Sequence, residues 1–166
     1  MASKGNSRLT SDKGKSKLEK ARAVIIVRTN WNPEIVDELE KGCIKVLKEK
    51  KIPFRSITVP GAVEIPFAVK KYYEEVGRKK DAAGAFVTLG CVIRGDTPHF
   101  DYVCKAVTDG VSQLNLILPV PVIFGVLTVE NDKQAKERIG GKHGHKGEEA
   151  ALTAIAMMEL VESFGK

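Results

Sequence analysis

Four short apolar runs constrain this chain more than any other feature: AVIIV from Ala23, FRSITV from Phe54, AAGAFVTL from Ala82 and PVIFGVLTV from Pro121. They recur at about the spacing of one strand–helix–strand unit, which predicts parallel strands joined by crossovers. Helical patterns lie between them. Ile35, Leu39, Cys43 and Leu47 fall on one face of a helix, and Val103, Val107, Val111, Leu114 and Leu118 fall on one face of another. Asn32-Pro33 and Thr97-Pro98 each read as a helix entry, with a side-chain oxygen at the N-cap and proline at the first helical position. Two further helices are expected over residues 132–139 and 146–163. A parallel sheet has to be covered on both faces, so the expected architecture is a three-layer α/β/α sandwich around a four-stranded parallel sheet.

At 166 residues and 43% hydrophobic, the chain is long enough for one such domain with its own core. Its net charge of +6 is unevenly placed. The first 22 residues carry seven cations against Asp12 and Glu19, which leaves 20 cations against 19 carboxylates from residue 23 onward. The expected domain, residues 23–166, therefore lacks the basic face that phosphate-backbone binding needs, and no nucleic-acid partner is expected. Residues 1–22, rich in Lys, Ser and Gly, are expected to form a flexible basic tail without the apolar core of a secretory signal. No run approaches the ~18 apolar residues of a membrane span. Cys43, Cys91 and Cys104 form no CxxC pair, which fits a reducing compartment and makes the cytoplasm the expected location.

In a parallel sheet, ligands bind beyond the carboxyl ends of the strands. Arg28, Thr29, Asn30, Trp31 and Asn32 follow the first strand, residues 59–64 (VPGAVE) the second, and residues 90–99 (GCVIRGDTPH) the third. Thr128, Glu130, Asn131 and Asp132 follow the fourth, then Arg138, Lys142 and Lys146. Each candidate has a plain alternative. Trp31 serves equally well as a core cap or as a ligand platform. His99, taken alone, is more often a solvated residue than a catalyst, but Thr97 beside it offers a hydroxyl and free backbone N–H groups at a helix N-terminus, a natural anion site. Pro60-Gly61 is either a simple turn or a place where backbone approaches a flat ligand closely. Arg138 and Lys146 fit the common role of surface cations as well as a site role.

Other motifs fail on spacing. GGKHGHKG from Gly140 lacks the GxxxxGK[ST] order of a P-loop, no GxGxxG follows the first strand, and GxSxG is absent. His143 and His145 have no supporting Cys or carboxylate at ligand spacing, so no metal is assigned.

The ordered series Trp31-Asn32, VPGAVEIPFA from Val59, LGCVIRGDTPHFDYV from Leu89, PVIFGVLTVEN from Pro121 and QAKERIGGKHGHKGEEAA from Gln134 resembles the 6,7-dimethyl-8-ribityllumazine synthase family over residues 23–162. The resemblance implies a flavodoxin-like fold and the condensation of 5-amino-6-(D-ribitylamino)uracil with 3,4-dihydroxy-2-butanone 4-phosphate in riboflavin biosynthesis, with no cofactor and no metal. By position it implies that Trp31 stacks on the pyrimidine, that Ala62, Val63 and Glu64 line the ribityl side, and that Cys91, Val92 and Ile93 meet the uracil edge. It places the phosphate at Asp96, Thr97 and Arg138, a covering ring at Phe124 and proton transfer at His99. It also implies that Phe124, Arg138 and Lys146 reach each site from an adjacent subunit of a homopentamer. In some members twelve pentamers form an icosahedral 60-mer, and residues 138–147 carry no insertion relative to that pattern, so both assemblies stay open.

Three positions depart from the family pattern. Trp31 stands where phenylalanine is common, and its larger ring makes riboflavin a candidate ligand there. Asp96 puts a carboxylate where alanine or glutamate is usual, and His145 replaces the asparagine of a GNKG turn. The last helix, apolar on most sides from Ala150 to Val161, has more such surface than one sheet face can cover, which favours an intersubunit role.

Overall fold

The computed structural model describes Leu18 and residues 22–76 and 83–165. The four expected runs form β1 (Ala23–Thr29), β2 (Phe54–Val59), β3 (Ala83–Ile93) and β4 (Val122–Val129). All pair in parallel, in the order β2-β1-β3-β4. Helices α1 (Pro33–Glu49), α2 (Ile65–Val76), α3 (His99–Ile117), α4 (Asp132–Lys136) and α5 (Lys146–Phe164) complete the three layers.

Alternation along the strands sends successive side chains to two separate cores. Val24 and Ile26 with Ala85, Val87 and Leu89 meet α1 and α5 through Leu39, Leu47, Ala151 and Ile155. Ile25 and Val27 with Phe86 meet α2 and α3 through Ile65, Val69, Val107 and Val111. Leu18 is partly buried against the first of these cores. Of the expected basic tail, only Leu18 and Arg22 fall among the described residues.

The packing of α1 against α5 leaves almost no slack. A Cβ on Gly147 would lie 1.9 Å from the carbonyl oxygen of Leu39, and one on Gly42 would lie 2.1 Å from Cε1 of His145. Gly147, which meets backbone, is what allows the helices to come this close, and Gly42 leaves room for the His145 ring. His145 is also the N-cap of α5, its Nδ1 accepting from the N–H of Glu148 at 3.4 Å, so the imidazole supplies one acceptor to the helix start.

Several local expectations need correction. Asn32 does not cap α1 through its side-chain oxygen. It sits in the left-handed region at φ 53°, which asparagine tolerates, and its Nδ2 donates to the carbonyl of Cys91 at 2.9 Å. Thr97 does not cap α3, because the helix starts one residue later with Pro98 at the N-cap position and no side-chain cap. The helix expected over residues 132–139 stops at Lys136, and the glycine-rich run beyond it forms a small antiparallel hairpin, β5 (Ile139–Gly141) with β6 (Gly144–His145). Gly140 at φ 109° and Gly144 at φ 80° make that turn possible. Helix α2 is not announced by the sequence pattern, because only Ile65 and Val69 along it are fully buried.

Among the described residues, no helix is long and apolar enough to cross a membrane, and no cluster of three His, Cys, Asp or Glu is placed to hold a metal ion.

Candidate active site

All four strands run the same way, so the segments after β1, β2 and β3 emerge on one rim. Trp31 follows β1 and is 71% exposed, so it does not cap the core. Its ring lies against the turn after β2: a Cβ on Gly61 would sit 3.4 Å from Trp31 Cδ1 and 3.0 Å from Glu64 Oε2. Gly61 is thus the floor on which an open indole and a carboxylate converge. A 3-10 turn over Ala62–Glu64 follows, with Ala62 buried and Val63 and Glu64 exposed. The Asn32 amide ties the start of α1 to the Cys91 carbonyl, so the end of β3 is locked to the same corner.

Cys91 is buried, and Val92 and Ile93 are half-buried at the end of β3. Burial, with the nearby charge of Asp132, pushes the Cys91 thiol up to about 12, so it stays a neutral group and is no nucleophile at physiological pH. Asp96 and Thr97 lie exposed on the loop after β3, and His99 opens α3 as an exposed residue.

Of the three remaining expected site residues, Phe124 stands away from this corner, and Arg138 and Lys146 are bonded within their own segment. Phe124 is half-buried near the middle of β4, an edge strand, against the core that faces α2 and α3. It pairs with Thr88, five residues before the Val129 end of β4, roughly 16 Å from the rim of its own chain. Arg138 follows α4 and is engaged within the chain: one guanidinium nitrogen donates to Glu149 at 3.0 Å and another to the carbonyl of His143. Lys146 approaches the same Glu149 oxygen at 3.8 Å, and its backbone N–H donates to the Arg138 carbonyl at 2.8 Å. Glu149, which collects both cations, was not anticipated. Its signal was slight, an acid three residues after Lys146 and thus on the same helix face.

This fold defines a flavodoxin-like α/β protein, with its candidate site groups at the carboxyl ends of β1 to β3. The family model for 6,7-dimethyl-8-ribityllumazine synthase matches residues 21–162. Proteins of that name include one from Bacteroides fragilis, 44% identical over 144 residues that cover 85% of this chain and 97% of that protein. One from Porphyromonas gingivalis is 47% identical, covering 81% of this chain and 83% of that protein. One from Cytophaga hutchinsonii is 41% identical, covering 94% and 97%. The chain belongs to the 6,7-dimethyl-8-ribityllumazine synthase family.

Proposed function

We propose that this chain condenses 5-amino-6-(D-ribitylamino)uracil with 3,4-dihydroxy-2-butanone 4-phosphate to 6,7-dimethyl-8-ribityllumazine, a transferase step of riboflavin biosynthesis that releases phosphate and two waters. Family membership supports the reaction. The observation that best supports this corner as its site is the open Trp31 ring beside Gly61 and Glu64, joined through Asn32 to the end of β3. In this reading the pyrimidine stacks on Trp31, the ribityl chain runs along Ala62, Val63 and Glu64, and the uracil edge meets Cys91, Val92 and Ile93. The phosphate sits at Asp96 and Thr97.

An amine adds to a ketone, phosphate leaves by elimination, and the second nitrogen closes the ring. The protein has to align two reactants, move protons and accept a leaving dianion. Alignment can supply about 7–11 kcal/mol, whereas one acid–base group contributes about 10²–10⁴-fold. His99→Ala is therefore expected to slow kcat within that range while lumazine still forms. Complete loss of turnover in a natively folded variant would reverse this ranking.

The placement of Phe124, five residues back from the end of β4, supports sites that Phe124, Arg138 and Lys146 of a neighbouring chain complete, in a homopentamer or in a 60-mer built from pentamers. Helices α2 and α3 leave Phe67, Tyr102, Leu116 and Ile117 exposed, side chains that such an assembly could cover. Light scattering distinguishes these assemblies, and a monomer in solution contradicts both.

Riboflavin is proposed as a further ligand of the Trp31 ring. Tryptophan fluorescence is expected to quench on titration with riboflavin, and Trp31 is the chain's one tryptophan, so the signal has a single source. An unchanged spectrum at saturating flavin removes this ligand. The direct test of the reaction mixes the purified protein with both substrates and follows lumazine absorbance and fluorescence. Binding without product would assign the chain to a non-catalytic flavin-binding role instead.

A further inference from the structure

Arg94 has no part in the reading above, yet it is the most heavily tied side chain on the rim. It directly follows β3, and its backbone N–H donates to the Val129 carbonyl at the end of β4 at 3.0 Å. Its Nε donates to Glu130 Oε2 at 2.7 Å. Its Nη1 and Nη2 donate to the two carboxylate oxygens of Asp101 at 3.2 and 2.9 Å. The guanidinium carbon stands 4.1 Å from the centre of the Phe100 ring. One planar cation therefore joins the ends of β3 and β4 to the first turn of α3, a task suited to a rigid five-donor fork.

What it grips matters for the site. Phe100 and Asp101 are the two residues after His99, and Gly95, Asp96, Thr97 and Pro98 are the residues between Arg94 and His99. Among the described residues, little holds this stretch besides backbone bonds such as that from the Asp101 N–H to the Pro98 carbonyl at 3.0 Å. Helix α3 starts without a side-chain cap, and a Cβ on Gly95 would find nothing within 4 Å. Arg94 also holds the Asp101 carboxyl below the usual carboxylate range, so the pair stays charged at neutral pH. Exposed ion pairs of this kind add little to global stability, so their effect is mainly on where the loop sits.

We infer that Arg94 is a positioning residue, which fixes the 95–98 loop and the first turn of α3 so that Thr97 and His99 face the same reacting group. The role of those two residues rests on the function proposed above, whereas the tethering does not. Arg94→Met is therefore examined in two ways on the full chain. Hydrogen exchange, which needs no turnover, is expected to quicken over residues 95–101 while β1 and β3 keep their protection. Steady-state kinetics are expected to show KM for the phospho-ketone raised and kcat lowered, each by roughly 10-fold or more, with KM for the pyrimidine diamine little changed.

Arg94→Lys, which keeps the charge but cannot fork to both carboxylates, is expected to fall between wild type and Arg94→Met, and it carries the same readouts if the methionine variant does not fold. Unchanged exchange over residues 95–101 overturns the inference even if the wild-type protein makes no lumazine, a result that would instead sink the reaction. Equal rises in both KM values, or losses that follow a falling Tm across the two variants, overturn it as well.

Discussion

Replacing Arg138 with alanine is expected to raise KM for 3,4-dihydroxy-2-butanone 4-phosphate by about 10- to 100-fold, the range corresponding to one lost charge-assisted hydrogen-bond pair, while KM for the pyrimidine diamine stays nearly constant. The guanidinium is partly buried and prepositioned by Glu149 and the His143 carbonyl, so it would meet a phosphate dianion with its orientation already set. Losing it should cost the fold little, because Lys146 remains beside the Glu149 carboxylate. Arg138→Lys keeps a positive charge without the fork and is expected to recover only part of the affinity. An unchanged KM for the phospho-ketone in Arg138→Ala would remove this residue from the phosphate site and leave its ion pair with Glu149 as a purely structural contact.

The second large effect is on stability. Gly147→Ala would bring a methyl group to 1.9 Å from the Leu39 carbonyl oxygen, and also within 2.8 Å of its carbonyl carbon and 3.0 Å of its Cα. All three atoms are backbone, so no rotamer change relieves the clash and α5 has to move away from α1. Overpacking of this kind costs about 1–3 kcal/mol, which for a chain of this length corresponds to a Tm lowered by roughly 2–12 °C at fixed protein concentration. Thermal denaturation measures it directly. A Tm equal to that of the wild type would mean that the helices have room the described packing denies them.

How much could be read in advance depended on where each signal originates. The central strand β1 was legible because a strand buried on both faces reads as an apolar run, as AVIIV does. The edge strand β2, with Arg55, Ser56 and Thr58 exposed, was legible only from its β-branched and aromatic residues and its spacing. Helices α1 and α3 were legible through long one-sided stripes. Helix α2 was not, since two buried side chains make no stripe, and the β5–β6 hairpin was not, since strands of three and two residues carry no period. The cap roles of Asn32 and Thr97 failed for a related reason. The Asn32 amide is claimed by a carbonyl 59 residues away, a competitor that no local pattern displays.

The candidate site divides in the same way. Trp31, the Gly61 turn and the loop carrying Thr97 and His99 could be located because strand ends locate them. The bonds that hold Arg138 to Glu149, and Arg94 to Glu130 and Asp101, depend on side-chain reach across elements and emerged only with the fold.

The contact between His145 and Gly42 has an evolutionary corollary. Trp31 and Asp96, two of the three positions that depart from the family pattern, project from strand ends and fill neither core, so each can drift alone and leave folding untouched. The third is less free: the His145 ring that lies over Gly42 also caps the first turn of α5, so a larger residue at 42 would turn the ring aside and take the cap from the Glu148 N–H with it.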